Sequence, residues 1–360
     1  MKKLLFFLIS SFLFLFLQSC TEKISDTSNH EHKVPFLTRT YDKLTCQYNF
    51  YKGFWDLEKG KLSFGNEQAI EVKGENFDVR WDGNMNIIVE SIDNKNIAAN
   101  CFEPGLNIKK VNSGYQCIEA SLIDNNNKIY RITNHTNQIT QNYIFEIEMD
   151  GVKESIPIKP SFEKEYMVVR PLALHIKNDR AELYLELSFV PDENKPWEHG
   201  YAIVKGIYSG TNGIEWRIVS RDIGIGEAGA GVSMIEYNEN VIIADQYGRL
   251  KLLNLEDGTV EELETLNEKI EQFHKKYVHR TEFQKPPELY RYKDFLIVKD
   301  APAVPDSQPV VYILAVREGR AIGEIIAQGN KVTVFKDGIV TEKRSLDGRH
   351  QPFAWIFPEG

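Results

Sequence analysis

Short apolar or alternating runs, separated by turn residues, recur along most of this chain and constrain its fold more than any other feature. Residues 77–81 alternate between apolar and polar side chains, Asp82-Gly83-Asn84 provides a turn, and residues 85–89 form a second run. Alternation on both sides of such a turn predicts a β-hairpin. The same plan recurs in four further pairs of runs: 117–123 with 128–133, 143–149 with 152–158, 172–176 with 181–189, and 201–208 with 216–220.

Residues 229–263 contain the clearest unit, with four runs separated by polar turns. The runs cover residues 231–237, 241–244, 249–255 and 259–263. Four short antiparallel strands within such a length are the content of one β-propeller blade. Residues 244–258, ADQYGRLKLLNLEDG, resemble blades of the quinoprotein-like and related propellers, which carry a D-x-x-G-x-L-x-x-L-x-x-G rhythm. This resemblance implies a fold but no activity, because propellers host many functions.

The predicted fold class is therefore all-β, with residues 36–360 forming a β-propeller of six or seven blades. Similar units begin near residues 77, 117, 167, 232, 289 and 324, and their irregular spacing leaves the blade count open. The end of the chain is expected to pair with residues 38–54 and close the ring. The alternative architecture is two β-sandwich domains that divide near residue 160.

One helix is predicted to interrupt the strands. Its apolar side chains fall at helical spacing between residues 265 and 277, amid Glu and Lys: Leu266, Ile270, Phe273 and Tyr277. This spacing is typical of an amphipathic helix. We expect it to be an insertion between two blades.

The first nineteen residues have the features of a secretory signal peptide. Lys2 and Lys3 precede an apolar run over residues 4–17, which is short for a membrane-spanning helix. The ending Leu17-Gln18-Ser19-Cys20 resembles the lipobox of bacterial lipoproteins. That resemblance implies lipidation of Cys20 with fatty acyl chains such as palmitate, export, and anchoring in the cell envelope.

The lipobox resemblance also bears on the target membrane and on the segment that follows. Thr21, which is not an aspartate, resembles outer-membrane sorting in enteric-type bacteria, so the outer membrane or cell surface is expected in a Gram-negative host. Residues 20–35 are mostly polar and are expected to form a lipidated tether. The alternatives are an ordinary signal peptide cleaved elsewhere and an uncleaved N-terminal anchor.

Net charge limits the partners of the mature chain. The whole sequence carries a formal charge of −9, and removal of Lys2 and Lys3 brings it to about −11. A surface of this sign argues against nucleic acid, which requires a basic surface. It also argues against a body that lies on anionic lipid. The expected partners are the membrane, through the lipid anchor, and an envelope protein or a glycan.

Three cysteines follow Cys20 in the sequence, Cys46, Cys101 and Cys117. In an exported protein two of them could form a disulfide, and the nearest pair is Cys101 with Cys117. The alternative is three buried free thiols that pack as small apolar groups. No CxxC or HxxxH spacing accompanies them, so neither a metal site nor a cofactor is predicted.

Trp197, Glu198 and His199 form the most site-like segment and are expected in one loop as a ligand-binding site. The indole could stack on a sugar ring, and the carboxylate and imidazole could serve acid–base catalysis or metal binding. The alternative is a surface loop whose tryptophan covers the core. A glycine-rich segment at residues 224–231 is followed by strand-like sequence, so it lacks the helix that a dinucleotide-binding loop requires.

Catalytic motifs are absent from the sequence: it contains no GxSxG, no HExxH and no P-loop, and no catalytic residue is predicted. The expected function is a lipid-anchored cell-envelope module that binds or scaffolds a protein or glycan ligand. Two alternatives remain. One is an exported polysaccharide hydrolase or lyase that uses Glu198 and His199, and the other is a purely structural envelope lipoprotein.

Overall fold

The structure is a computed structural model of the chain. It describes residues 32–42, 47–64, 70–73, 77–81, 86–91, 96–100, 108–111, 117–124, 126–137, 140–162, 166–178, 180–190, 192, 194, 198–210, 213–221, 225–227, 232–245, 247–278, 286–302 and 309–357.

These residues form antiparallel sheets, each built from strands that are consecutive in the sequence. Sheet 1 contains β1 (Lys33–Asp42), β2 (Gln47–Asp56), β3 (Lys61–Phe64) and β4 (Ile70–Lys73). Sheet 2 contains β5 (Phe77–Trp81), β6 (Asn86–Ser91), β7 (Asn96–Asn100) and β8 (Ile108–Val111). Sheet 3 contains β9 (Cys117–Ile123), β10 (Ile129–Asn137), β11 (Thr140–Met149) and β12 (Val152–Pro157).

The second half of the chain continues in the same way. Sheet 4 contains β13 (Met167–Lys177), β14 (Arg180–Phe189), β15 (Glu198–Tyr208), β16 (Ile214–Ser220) and β17 (Ile225–Glu227). Sheet 5 contains β18 (Ser233–Tyr237), β19 (Asn240–Ala244), β20 (Leu250–Asn254) and β21 (Val260–Glu262). Sheet 6 contains β22 (Glu288–Tyr292), β23 (Phe295–Asp300), β24 (Val310–Arg317), β25 (Arg320–Gln328), β26 (Lys331–Lys336) and β27 (Ile339–Ser345).

The all-β prediction is confirmed, and so are all five predicted hairpins and the four strands of residues 229–263. The predicted unit near residue 324 is wrong. Glu324 lies inside β25, which pairs on both sides with strands of sheet 6. The two-residue turn at Gly329-Asn330 is tight enough to fold β26 back onto β25, so the alternation continues the same sheet.

The predicted helix is confirmed as α1 (Glu264–Tyr277), which follows β21 and precedes sheet 6. It buries Leu266, Ile270 and Phe273, and it contacts β20, β24 and β25. The helix therefore fills the space between sheets 5 and 6 with its apolar face.

Neighbouring sheets touch through their first strands. β9 contacts β13, β13 contacts β18, and β18 contacts β22. A single apolar cluster joins sheets 3 and 4, with Ile132 and Phe145 on one side and Leu183 and Leu185 on the other. A domain boundary near residue 160, as the two-sandwich alternative requires, would cut through this cluster.

Tight turns lie together at one end of the strands, which we call the tight-turn end. Each contains a glycine or another residue with positive φ, and they cover residues 57–60, 150–151, 238–239, 255–259, 293–294, 318–319 and 337–338. Contacts between sheets link these turns. Tyr208 of sheet 4 donates to Glu154 of sheet 3 at 3.0 Å, and Tyr237 of sheet 5 donates to the Asp294 carbonyl of sheet 6 at 2.9 Å.

The opposite end of the strands carries the longest connections, and we call it the long-loop end. They are the segments before β13, before β15, before β22 and between β23 and β24. Two short turns, which contain Gly248 and Gly329 with positive φ, also lie at this end.

The two ends of the described chain meet. Leu37 of β1 and Ile356 exchange two backbone hydrogen bonds of 2.9 Å, so the end of the described chain pairs one residue before the predicted segment 38–54, and the closed ring stays a prediction. Phe36 stacks on Trp355 with ring centroids 4.2 Å apart. Both rings belong to the apolar cluster that joins sheet 1 to sheet 6.

Candidate functional site

Glu198 and His199 occupy the first two positions of β15, at the long-loop end. Their backbone pairs with Glu227 and Gly226 of β17. The prediction that Glu198 and His199 belong to a loop is therefore wrong. The physical reason is that three residues of the glycine-rich segment are extended and pair with the start of β15. Trp197 lies outside the described residues, so the proposed ligand-binding trio remains a prediction.

The cysteine predictions are also untested. Cys20 and Cys101 lie outside the described residues. Cys117 is the first residue of β9, where its backbone is opposite Asn134 of β10. The Cys101–Cys117 pairing and the lipidation of Cys20 stay predictions.

A charged cluster lies on the face of sheet 4 that meets sheet 5. Glu182 and Tyr184 alternate along β14, and Lys205 projects from β15 beside them. Glu182 accepts an ion-paired hydrogen bond from Lys205 and a second hydrogen bond of 2.9 Å from the Tyr184 hydroxyl. The Lys205 ammonium also lies 5.3 Å from the centre of the Tyr184 ring. We call Glu182, Tyr184 and Lys205 the Lys205 cluster.

Burial makes the pairing within the Lys205 cluster obligatory. Glu182 is 9% exposed and Lys205 is 5% exposed, and an unpaired charge at that depth is strongly unfavourable. Burial opposes ionisation of Glu182, but hydrogen bonds from Lys205 and Tyr184 outweigh it and lower the pKa of the carboxyl. Burial and the adjacent Glu182 carboxylate raise the pKa of Tyr184, so its hydroxyl stays protonated.

His175 and Lys177 of β13 flank the Lys205 cluster. The His175 ring lies 5.3 Å from the Tyr184 ring, and its buried Nδ1 has no hydrogen-bond partner among the described residues. Burial, reinforced by the positive Lys177, lowers the pKa of His175 and favours the neutral imidazole. Lys177 reaches sheet 5, where its ammonium lies 2.8 Å from Glu256 and 3.5 Å from Glu239.

A second ion pair connects the same two sheets further along β13. Arg170 donates from Nε to Oε2 of Glu186 at 2.9 Å and also donates to the Met234 carbonyl of sheet 5. Burial raises the pKa of Glu186, and the Arg170 charge only partly opposes this. Charge-assisted hydrogen bonds thus link sheet 4 to sheet 5 at several points.

A third group of polar side chains fastens α1 to sheet 6. His274 Nε2 lies 2.5 Å from Asp300, whose side chain is 2% exposed. Glu324 is paired with Lys269 at 2.6 Å and accepts a 2.8 Å hydrogen bond from Tyr312. Burial, reinforced by the Glu324 charge, raises the pKa of Tyr312.

These clusters were not predicted from the sequence, although the sequence contains one signal of buried ion pairs. Glu182 and Glu186 interrupt an otherwise apolar strand, and buried carboxylates require partners. Their partners lie on other strands and cannot be read from local spacing. The arrangement links sheets through paired charges, and each named carboxylate already accepts from a protein donor.

Within the described ranges, no three His, Cys, Asp or Glu side chains are placed to share a metal ion. Among the described helices, none has the length and apolar character needed to span a bilayer.

Comparisons with known proteins identify no family. No family model matches the chain, and no curated protein matches it. Among solved structures, the chain is similar to the crystal structure of Saccharomyces cerevisiae Sqt1, at 8% sequence identity and a TM-score of 0.32. The match covers 88% of this chain and 97% of that chain. A score this low carries no argument about fold or function.

Proposed function

We propose that this protein is a lipid-anchored cell-envelope module with a β-propeller body, which binds or scaffolds a protein or glycan ligand. The observation that carries the proposal is the joint between the ends of the described chain, where Leu37 and Ile356 exchange hydrogen bonds. Propellers close their ring by joining the first and last blades, and the succession of meander sheets touching through first strands supports the same architecture.

The buried charges support a scaffold. Lys205 with Glu182, Arg170 with Glu186, and His274 with Asp300 all tie one strand or element to another. Such pairs hold a body in one arrangement, as a platform for loops requires. The start of β15, which carries Glu198 and His199, lies at the long-loop end, where a ligand would meet the longest connections.

The anchor rests on the sequence Leu17-Gln18-Ser19-Cys20, which resembles a lipobox. Acyl chains contribute about 0.8 kcal/mol per buried CH₂, so two or three chains would hold the body on a membrane. A lipid anchor of this kind requires neither a spanning helix nor a basic surface.

Expression of the full chain in a bacterial host tests the anchor. We expect the protein in the membrane pellet after a high-salt wash, released only by detergent, with an N-terminal peptide that begins at Cys20 and carries acyl mass. Cys20→Ala should be released in soluble form, whereas Cys46→Ala should remain in the pellet. Wild-type protein without acyl mass on Cys20 would contradict the proposal.

Ligand binding is tested with purified peptidoglycan sacculi as the glycan probe. We expect the chain from residue 21 onwards to sediment with sacculi, and Trp197→Ala to reduce the bound fraction several-fold. Trp216→Phe, in a strand of sheet 4 away from the long-loop end, is the matched control and should bind normally. Equal sedimentation of both variants would show that the Trp197 segment is not the binding site. Failure of the wild type to sediment would show that peptidoglycan is not the ligand.

A further inference from the structure

The N-terminal segment joins the body at the tight-turn end. β1 begins at Lys33, and the carbonyl of the preceding His32 accepts a 2.9 Å hydrogen bond from the backbone N–H of Leu57. Leu57 begins the turn between β2 and β3, which is one of the tight turns. The N-terminal segment is therefore held against the body at this turn.

The hairpin of β26 and β27 lies directly beside that turn. Lys336 donates to the Glu58 carbonyl at 2.6 Å, and Thr341 donates to the Gly60 carbonyl at 2.7 Å. The close approach requires a glycine, because a Cβ at Gly60 would lie 2.5 Å from the Thr341 hydroxyl. Between these two contacts lie Ile339 and Val340, whose side chains are exposed.

Exposed apolar side chains are concentrated at the same end of the body. Among the described residues, eight large hydrophobic side chains are exposed, and five of them flank tight turns. These five, which we call the apolar tips, are Met149, Val152, Val260, Ile339 and Val340. Val152 directly follows the turn at residues 150–151, and Ile339 directly follows the turn at residues 337–338.

We infer that the tight-turn end faces the membrane that carries the anchor, and that the apolar tips around the β26–β27 hairpin enter the bilayer interface. This inference rests on the lipid anchor of the proposed function. Twelve residues, 21–32, separate Cys20 from β1, so the anchor lies within about 40 Å of the tight-turn end even if they are fully extended. The long-loop end then points away from the bilayer.

The net charge of the body limits which lipids the tight-turn end can contact. The body is negative overall, so anionic lipid would repel it. Lysines beside the hairpin, such as Lys59 with its largely exposed side chain, can lay their methylene stems along the interface and keep the ammonium in water. The contact therefore suits a zwitterionic interface, into which the apolar tips insert.

Photocrosslinking in phosphatidylcholine vesicles tests this orientation. The lipidated full chain would carry p-benzoylphenylalanine in place of Ile339 or, as a second site, of Val152. Tyr247 is the matched control position, because it is 67% exposed and lies at the long-loop end between β19 and β20. All three positions are exposed, so unmodified thermal unfolding is expected and is measured for each variant.

We expect several-fold more lipid adduct from the probes at positions 339 and 152 than from the probe at position 247. Equal adduct at all three positions would show that the body has no fixed orientation, and no lipid adduct at positions 339 and 152 would show that the tips do not touch lipid. Protein–protein adducts at those positions would show that a second copy covers them. Each of these results overturns the inference.

The mass of the Cys20 peptide is measured in the same samples and separates the two proposals. Acyl mass without preferential adduct at the apolar tips would overturn the orientation and leave the anchor intact. Absence of acyl mass would overturn the anchor and, with it, the orientation.

Discussion

Arg170 on β13 and Glu186 on β14 form an ion pair in which the Nε–Oε2 distance is 2.9 Å and the carboxylate is almost completely buried. The register of β13 shifts at this point, between Val168 and Arg170. The intervening Val169 presents its carbonyl to the Tyr143 hydroxyl of sheet 3 at 3.0 Å, while Arg170 reaches sheet 5. One irregularity in β13 thus connects three sheets.

Removal of Arg170 should destabilise the protein more than neutralisation of Glu186. Arg170→Leu leaves a buried carboxylate without its cation, and we expect it to cost about 2 kcal/mol, below the usual range for buried pairs because Arg170 is partly exposed. Glu186→Gln keeps a hydrogen-bond acceptor and should cost about 1 kcal/mol. Urea unfolding of the two variants measures the difference.

The pH dependence of Arg170→Leu gives a second signature. Burial raises the pKa of Glu186 above its ordinary value of 4.5, so the folded state binds this proton more tightly than the unfolded state does. The loss of unfolding free energy caused by Arg170→Leu should be smallest below pH 4.5 and should grow as the pH rises through the raised pKa of Glu186. An equal deficit at every pH would contradict this explanation.

His175 should make the protein less stable in mild acid. Its pKa is lowered by burial and by Lys177, so its contribution to stability is present above the ordinary value of 6.5 and is lost as the pH falls through the lowered value. His175→Gln should flatten the dependence of the unfolding free energy on pH in this window. The control is Met167→Gln, at an exposed position of the same strand, which changes no titratable group and should retain the wild-type slope.

Trp355→Ala should loosen the joint between the first and last sheets. Trp355 is fully buried and stacks on Phe36, so truncation should cost about 3–5 kcal/mol. Amide hydrogen exchange should accelerate in β1. Trp216→Ala, which truncates a half-buried indole in sheet 4, should cost less and leave exchange in β1 unchanged. Faster exchange in β1 for both variants would argue against a local joint.

Ile270→Ala should detach α1 from sheets 5 and 6. Ile270 is 2% exposed on the face of the helix that packs on the sheets, and its truncation should cost about 2–4 kcal/mol. Glu271→Ala changes an exposed neighbour on the same helix and should have little effect. Thermal unfolding, monitored by helix circular dichroism at 222 nm, compares them. Similar losses for both substitutions would contradict the role of the apolar face.

Hairpins and the helix could be predicted because their signals are local. The alternation of residues 181–189 specifies β14, and the spacing of Leu266, Ile270 and Phe273 specifies α1. Contacts between sheets could not be predicted, because Lys205 and Glu182 meet only after β14 and β15 have paired. The prediction that Glu198 and His199 lie in a loop is wrong for the same reason. β17 follows β16 in the sequence but pairs with the start of β15, and local spacing does not reveal this pairing.

The joint of Phe36 with Trp355 also sets the order in which the chain can fold. Phe36 and Trp355 lie about 320 residues apart in the sequence, so the apolar core shared by sheets 1 and 6 can form only after the chain between them has been synthesised. β1 therefore cannot complete its packing until Trp355 and Ile356 have been synthesised. A chain interrupted shortly before Trp355 would lose the packing partner of Phe36 in β1 as well as the residues removed.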